Sequence, residues 1–385
     1  MYALTHCTLH TGWEDLTDHA LLIEGDRIFD LIPTAHLDPD LPTLNLDGHH
    51  ATPGLIDLQL NGCGGVMFND SITPATLNTM HQTNLKSGTT SYLPTLITTS
   101  DADMLTAMQV VSQYRRHSPH NILGLHLEGP YLNEKRKGIH DAAYIRPLDC
   151  TMLDQLVQAG RDTVKLLTLA PEMVEPADIR RLVAAGICVA AGHSDATYEQ
   201  AIAGFDAGVS MATHLFNAMS PWLGRSPGLV GAVFARNEVY AGIIADGHHV
   251  HFNSIELARQ IKRERLVLVT DATPPAGTHI DSFRIGGQEV FYRDGKCVSA
   301  DGTLGGSALT LIEAVANCVQ QLEIPLAEAL RMASSYPARA IAVDDHLGYL
   351  SPGYVANLTV FDQALQIVGV IDRGQWLSQT HLSVN

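Results

Sequence analysis

The chain has 385 residues, 45% hydrophobic and 17% charged, with 32 glycines and 18 prolines spread along its length, the composition of a folded protein without a disordered tract. A formal net charge of −17 argues against a nucleic-acid or anionic-membrane partner, since both need a basic surface, and requires any anionic substrate to be met by local positive groups. No segment reaches membrane-spanning length, the start lacks a basic and apolar leader, and the six cysteines (Cys7, Cys63, Cys150, Cys188, Cys297, Cys318) form no C-x-x-C pair, so reduced thiols in a cytoplasm are expected.

Residues 1–50 hold short strand-like runs, among them HALLIEGDRIFDLIP, in which Gly25-Asp26 is a hairpin turn between apolar segments. Eight apolar, β-branched runs follow, at 52–60, 89–98, 122–129, 164–171, 187–194, 209–216, 239–246 and 266–272, each ending in polar or glycine-rich residues. Stretches with helical spacing lie between them, at 74–87, 102–116, 176–185, 197–207 and 254–262, and Gly88, Gly160, Gly186 and Gly208 suit left-handed caps. Eight strand-helix repeats predict an α/β fold, a (β/α)8 TIM-like barrel, with an open doubly wound sheet as the alternative that pattern alone leaves standing. The far end returns to short strands in LGYLSPGYVANLTVFD and IVGVIDRGQWL. Residues 1–50 and 345–385 are therefore expected to form one small β-sandwich-like domain, and 51–344 the catalytic barrel.

In such a barrel the reactive groups sit at the carboxyl ends of the strands. There the chain places Gln59 and Asn61, then Glu128, His193, His214, Asp246 with His249, and finally Asp271. Glu128, His193 and His214 together suit a catalytic metal site: two imidazoles and a carboxylate leave a position open, where a structural site would use four protein ligands. Any one of the histidines alone could merely cap a carbonyl. Asp271 ends the apolar run LVLVTDATPPAG, where an ionised carboxylate needs a cation or donor nearby, and a metal-activated water would give it work as general base; capping the next turn is the plainer role. His126, two residues before Glu128, reads as a satisfied interior histidine.

The runs PGLIDLQLNGCGG, LPTLITTS, GLHLEGPYLN, LAPE, AGHSDAT, THLFNAM, IADGHHV and LVTDAT, in this order, resemble N-acetylglucosamine-6-phosphate deacetylases of the amidohydrolase superfamily, and the resemblance spans essentially the whole chain. It implies hydrolysis of the acetamide of N-acetyl-D-glucosamine 6-phosphate, with metal ligands at Glu128, His193 and His214 and a catalytic Asp271. It further implies substrate contacts at Ile139, His140, Asn217, Ala218, Arg225, Asp246, His249, Leu304, Gly305 and Gly306, and a homodimer or dimer of dimers sharing Arg225. A serine is expected where Gly305 stands, so only backbone contacts carry over there.

Many relatives begin with His-x-His on the first strand and bridge two metals with a strand-four lysine. This chain has Gln59-Leu-Asn61, and Lys165 lies at the start of its run, so one divalent ion per chain is expected, Zn2+ first and Fe2+, Co2+ or Mn2+ on the same ligands, with Gln59 acting through water. Arg225, in WLGRSPG, has the planar fork that suits phosphate, although an arginine beside Gly and Pro is usually solvated. An amidohydrolase for another acylated amino sugar or a cyclic amide is the rival activity, and a catalytically dead binding barrel the rival class.

Overall fold

A computed structural model describes residues 1–379, so 380–385 of the expected small domain lie outside the described residues. Eight strands (Leu55–Leu60, Thr89–Ile97, Leu125–Glu128, Val164–Leu169, Cys188–Ala191, Met211–Ala212, Tyr240–Ile243 and Leu266–Leu268) form one sheet in which each lies beside its successor in sequence. The ring closes where Leu60 bridges Ala272 in parallel and the Asn61 N–H donates to the Ala272 carbonyl at 2.9 Å. Unbroken sequential order and closure distinguish a barrel from a doubly wound sheet, whose order reverses part-way. The first, second and fourth strands are buried at every residue, as parallel strands covered on both faces must be.

The helices between strands start where local chemistry satisfies their free N–H groups. Ser100 accepts from the Asp103 N–H at the head of Asp101–Arg115, and Thr197 with Gln200 forms a reciprocal capping box at the head of Tyr198–Asp206. The glycines expected as left-handed caps, Gly88, Gly160, Gly186 and Gly208, all have positive φ.

The chain divides into two compact units, one of Leu58–Met80 and Tyr92–Thr310, the other of Met1–Asp57, His81–Ser91 and Leu311–Asn385. The first unit contains an element that the strand-helix repeat does not anticipate: an antiparallel three-stranded sheet of Ser282–Ile285, Gln288–Arg293 and Lys296–Ser299. Its Ile285, Val290 and Cys297 are buried with Met67, Ile97 and Ile139, which seats the sheet beside the end of the second barrel strand and the loops that follow the first and third.

In the second unit a six-stranded sheet runs Gln375–Ser378, Ile367–Asp372, Leu358–Phe361, His50–Pro53, Thr8–His10, Asp15–Leu16, so strands from both ends of the sequence pair directly. A four-stranded sheet contains the expected hairpin, His19–Glu24 against Arg27–Pro33, with Glu24 opposite Arg27 across the two-residue turn. Leu4, Leu9, Leu21 and Ile23 share one apolar core with Leu358, Val360 and Ile371.

Candidate active site at the barrel mouth

Glu128 is the last residue of the third barrel strand, and His193 and His214 each stand two residues beyond the end of the fifth and sixth. Glu128 Oε1 lies 3.0 Å from both His193 Nε2 and His214 Nε2, which are themselves 3.0 Å apart. His193 Nδ1 faces the Arg136 carbonyl at 2.9 Å; since a carbonyl only accepts, Nδ1 carries a proton, and Nε2 is the nitrogen left to face Glu128 and His214. Two imidazole nitrogens and a carboxylate oxygen this close need a cation or shared protons between them. The residues present therefore fit a divalent metal, which three such protein donors would hold with a position left open.

Glu128, His140 and His193 also bring one ligand atom each within 4.8 Å of one another. The trio with His214 is tighter, and His140 Nδ1 is taken up by Thr98 Oγ1 at 2.8 Å. Burial alone would raise the Glu128 carboxyl, but the adjoining His193 and His214 imidazoles hold it well below the usual range. Burial likewise opposes protonation of His214, whereas the hydrogen bond and charge of Glu128 and the charge of Asp271 raise it. The cluster therefore attracts positive charge.

Asp271 follows the eighth strand, and its Oδ1 accepts from Asn61 Nδ2 at 2.7 Å and from Gln59 Nε2 at 3.0 Å. Burial, reinforced by the nearby Glu128 charge, pushes its carboxyl up to about 6 against the lowering pull of His214, His249 and Asn61. Gln59, expected to act through water, also donates directly to Glu128 Oε1 and Oε2 at 3.1 and 3.2 Å; its amide nitrogen is the donor that two neighbouring carboxylates need. His193, His214 and Asp271 all have left-handed backbones, with φ of 49°, 29° and 51°. Such conformations cost non-glycine residues on the order of 1–3 kcal/mol each and survive only where the surroundings over-determine them.

Glu128, His193, His214 and Asp271 line a cavity of about 300 Å³ together with Asn61, Ile139, His140, Asn217, Ala218, His249, Leu304 and Gly306. His140 is buried, and burial with the neighbouring His193 holds it well below the usual histidine range, hence neutral. Asp246 lies outside the lining and acts on His249 instead: its Oδ2 sits 2.6 Å from His249 Nδ1 while Oδ1 accepts the backbone N–H groups of His248 and His249. Gly305 also faces away, donating its N–H to the Cys297 carbonyl at 3.0 Å; a side chain there would press on Val290 at 3.1 Å. Arg225 is exposed on the loop after the sixth strand and does not line this cavity. His126 is the expected interior histidine, with Thr95 and Thr168 hydroxyls on its two nitrogens at 3.1 and 2.8 Å.

Sequence reasoning placed Asn61 at a strand end without giving it a role, and missed Thr98, Arg136 and Glu172. Asn61 and Thr98 obey the strand-end rule and were within reach. Arg136 reaches the site through its carbonyl, and Glu172 through Asn133, Ser194 and Asp195, contacts that no residue type announces.

Residues 50–379 match the Amidohydrolase family and residues 1–50 the NagA composite domain. The chain belongs to the amidohydrolase family. This amidohydrolase is 44% identical to N-acetylglucosamine-6-phosphate deacetylase of Haemophilus influenzae over 97% of its own length and 99% of the relative's. It is 36% identical to N-acetylgalactosamine-6-phosphate deacetylase of Shewanella sp. (strain ANA-3), over 95% of this chain and 93% of that protein. The crystal structure of N-acetylglucosamine-6-phosphate deacetylase from Pasteurella multocida superposes with a TM-score of 0.96 at 46% identity, covering 98% of this chain and 100% of that one.

Proposed function

We propose that this amidohydrolase cleaves the acetamide of N-acetyl-D-glucosamine 6-phosphate to D-glucosamine 6-phosphate and acetate, serving amino-sugar catabolism and cell-wall sugar recycling. The observation that carries the chemistry is the mutual 3.0 Å approach of Glu128, His193 and His214 beside Asp271 in one cavity. The three donors would hold one divalent ion, Zn2+ by preference, with Fe2+, Co2+ or Mn2+ compatible with the same set. When bound, the ion lowers the pKa of water towards about 7 and polarises the amide carbonyl.

Asp271 accepts a proton from the attacking water as its oxygen bonds to the acetyl carbon, then returns it to the sugar nitrogen as the C–N bond breaks. The water's second proton is released as the acetic acid ionises and is taken up by the amine, so the products are acetate and the ammonium form of the sugar amine, and atoms and charge balance. A carboxylate lifted to about 6 by burial and Glu128 is basic enough to take that proton and acidic enough to give it back. Neutral His140, anchored by Thr98, meets the acetyl carbonyl or a sugar hydroxyl, and His249, held by Asp246, faces the sugar phosphate with Asn217, Ala218 and the backbone of Leu304 and Gly306.

Arg225 would reach the phosphate in the site of a second copy, as a homodimer or dimer of dimers. Trp222 and Leu223 on the same loop are 52% and 57% exposed, apolar surface that a partner would cover. The division into a catalytic barrel at 51–344 and a small domain from 1–50 and 345–385 accords with the sheet that joins both ends. All six cysteines are free, which suits a reducing cytoplasm, and no helix among the described residues is long and apolar enough to cross a membrane.

The test is release of free amine from N-acetylglucosamine 6-phosphate, with the galactose epimer and the unphosphorylated sugar as comparators. Activity should favour the glucose phosphate, vanish on chelation, and return with about one equivalent of Zn2+ per chain. Equal or better turnover of the epimer would move the substrate assignment; full activity after exhaustive chelation would remove the metal.

A further inference from the structure

We propose that Glu172 is a positioning residue for His193, fixing the imidazole tautomer through the segment from Asn133 to Arg136 and thereby setting the affinity of the metal site. Glu172 follows the fourth barrel strand in the turn Pro171–Met173. Its Oε1 accepts from Asn133 Nδ2 at 3.0 Å and from the Asp195 N–H at 2.7 Å, and its Oε2 accepts from Ser194 Oγ at 2.7 Å. One carboxylate thus ties the loop after the third strand to the two residues that follow His193.

The tie continues on both sides. The Asn133 N–H donates to the His193 carbonyl at 2.9 Å, and Arg136 Nε meets Asp195 Oδ1 at 2.9 Å. Between these two holds the Arg136 carbonyl is aimed at His193 Nδ1, 2.9 Å away. Every link is a hydrogen bond or an ion pair, so removing the central acceptor leaves Asn133, Ser194 and the Asp195 N–H without it. His193 has a left-handed backbone, φ 49°, which needs outside restraint. His214 Nδ1 has no hydrogen-bond partner among the described residues, so this device serves His193 alone of the two imidazoles. A neutral histidine ligates through a bare nitrogen, and the Arg136 carbonyl keeps the proton on the other one.

The inference rests on the metal assignment made above, and the experiment separates the two. Metal-stripped wild type, Glu172→Gln and Asp195→Asn are titrated with Zn2+ against a chromophoric chelator, and the unfolding midpoint of each metal-free protein is recorded. Glu172→Gln keeps the volume but turns an amide NH2 towards donors, and should bind Zn2+ about 10–100-fold more weakly with little change in the metal-free midpoint. Its turnover should recover towards wild type at saturating Zn2+, which a collapsed site would not allow. Asp195→Asn, which weakens the ties to Arg136 and Lys135 and leaves the Glu172 carboxylate in place, should show a smaller loss in the same direction and decides the matter if Glu172→Gln does not fold. Zn2+ affinities within about twofold of wild type in the folded variants would overturn the positioning role alone. A wild type that binds no Zn2+ would overturn the metal site as well.

Discussion

The surroundings of Asp271 disagree about its charge, which suits the proton shuttle proposed for it: burial and Glu128 favour the acid, Asn61, His214 and His249 favour the anion. If Asp271 is the proposed base, Asp271→Asn keeps the shape and loses that base, so kcat should fall by about 10²–10⁴ while metal content and substrate binding persist. Retention of more than about a tenth of turnover would move the base elsewhere, whereas His193→Ala should instead empty the metal site. The pH dependence has a definite sign. Asp271 must be ionised to accept the water proton, so kcat/KM declines as pH falls through its pKa. Asn61 donates to the ionised form, so Asn61→Leu should raise that pKa and move the acid limb of kcat/KM to higher pH, by about one unit if the bond contributes roughly 1.5 kcal/mol. A pH profile with an unmoved acid limb would show that Asn61 only fills space.

The three-stranded sheet of Ser282–Ile285, Gln288–Arg293 and Lys296–Ser299 gives the cavity one wall, through Ile285. Its first turn is constrained by backbone: a Cβ on Gly286 would stand 1.9 Å from the Ile139 carbonyl oxygen, at a φ of +55°. Gly286→Ala should therefore push the hairpin off Ile139, raising KM severalfold and lowering stability by about 1 kcal/mol or more, read by steady-state kinetics and thermal unfolding. An unchanged KM would mean the wall is not used by substrate. The turn pairs Gly286-Gly287 and Asp294-Gly295 were hairpin signals in plain view, yet the strand-helix rhythm drew attention past them. The barrel was legible because its strands are apolar runs of the right length: 164–171 was expected and Val164–Leu169 is found, 254–262 was expected and Phe252–Lys262 is found. That Glu128, His193, His214 and Asp271 come together was legible because strand ends in a barrel converge. What no pattern announces is a left-handed φ at a non-glycine residue, or a loop carbonyl such as that of Arg136 fixing a proton on a distant ring.

At the scale of the whole molecule, Arg225 stands exposed and away from the cavity of its own chain, beside Trp222 and Leu223. If it completes a neighbour's site, Asp271→Asn and Arg225→Ala chains, each inactive alone, should regain about one quarter of wild-type activity when unfolded together and reassembled, since half the dimers are mixed and one site in each is whole. Recovery near zero in demonstrably mixed dimers would confine Arg225 to its own chain and leave the deacetylase reading standing. The sheet that unites the chain ends bears on how the protein is made. His50–Pro53 pairs in antiparallel register with Leu358–Phe361, Ala51 facing Val360. Roughly 300 residues separate these partners, and at about 5–20 residues per second a ribosome needs on the order of 15–60 seconds to supply the second after the first. For that interval the nascent chain carries an unfinished β-edge, and translation stalled before Leu358 would leave it open to the first strand-like segment that arrived.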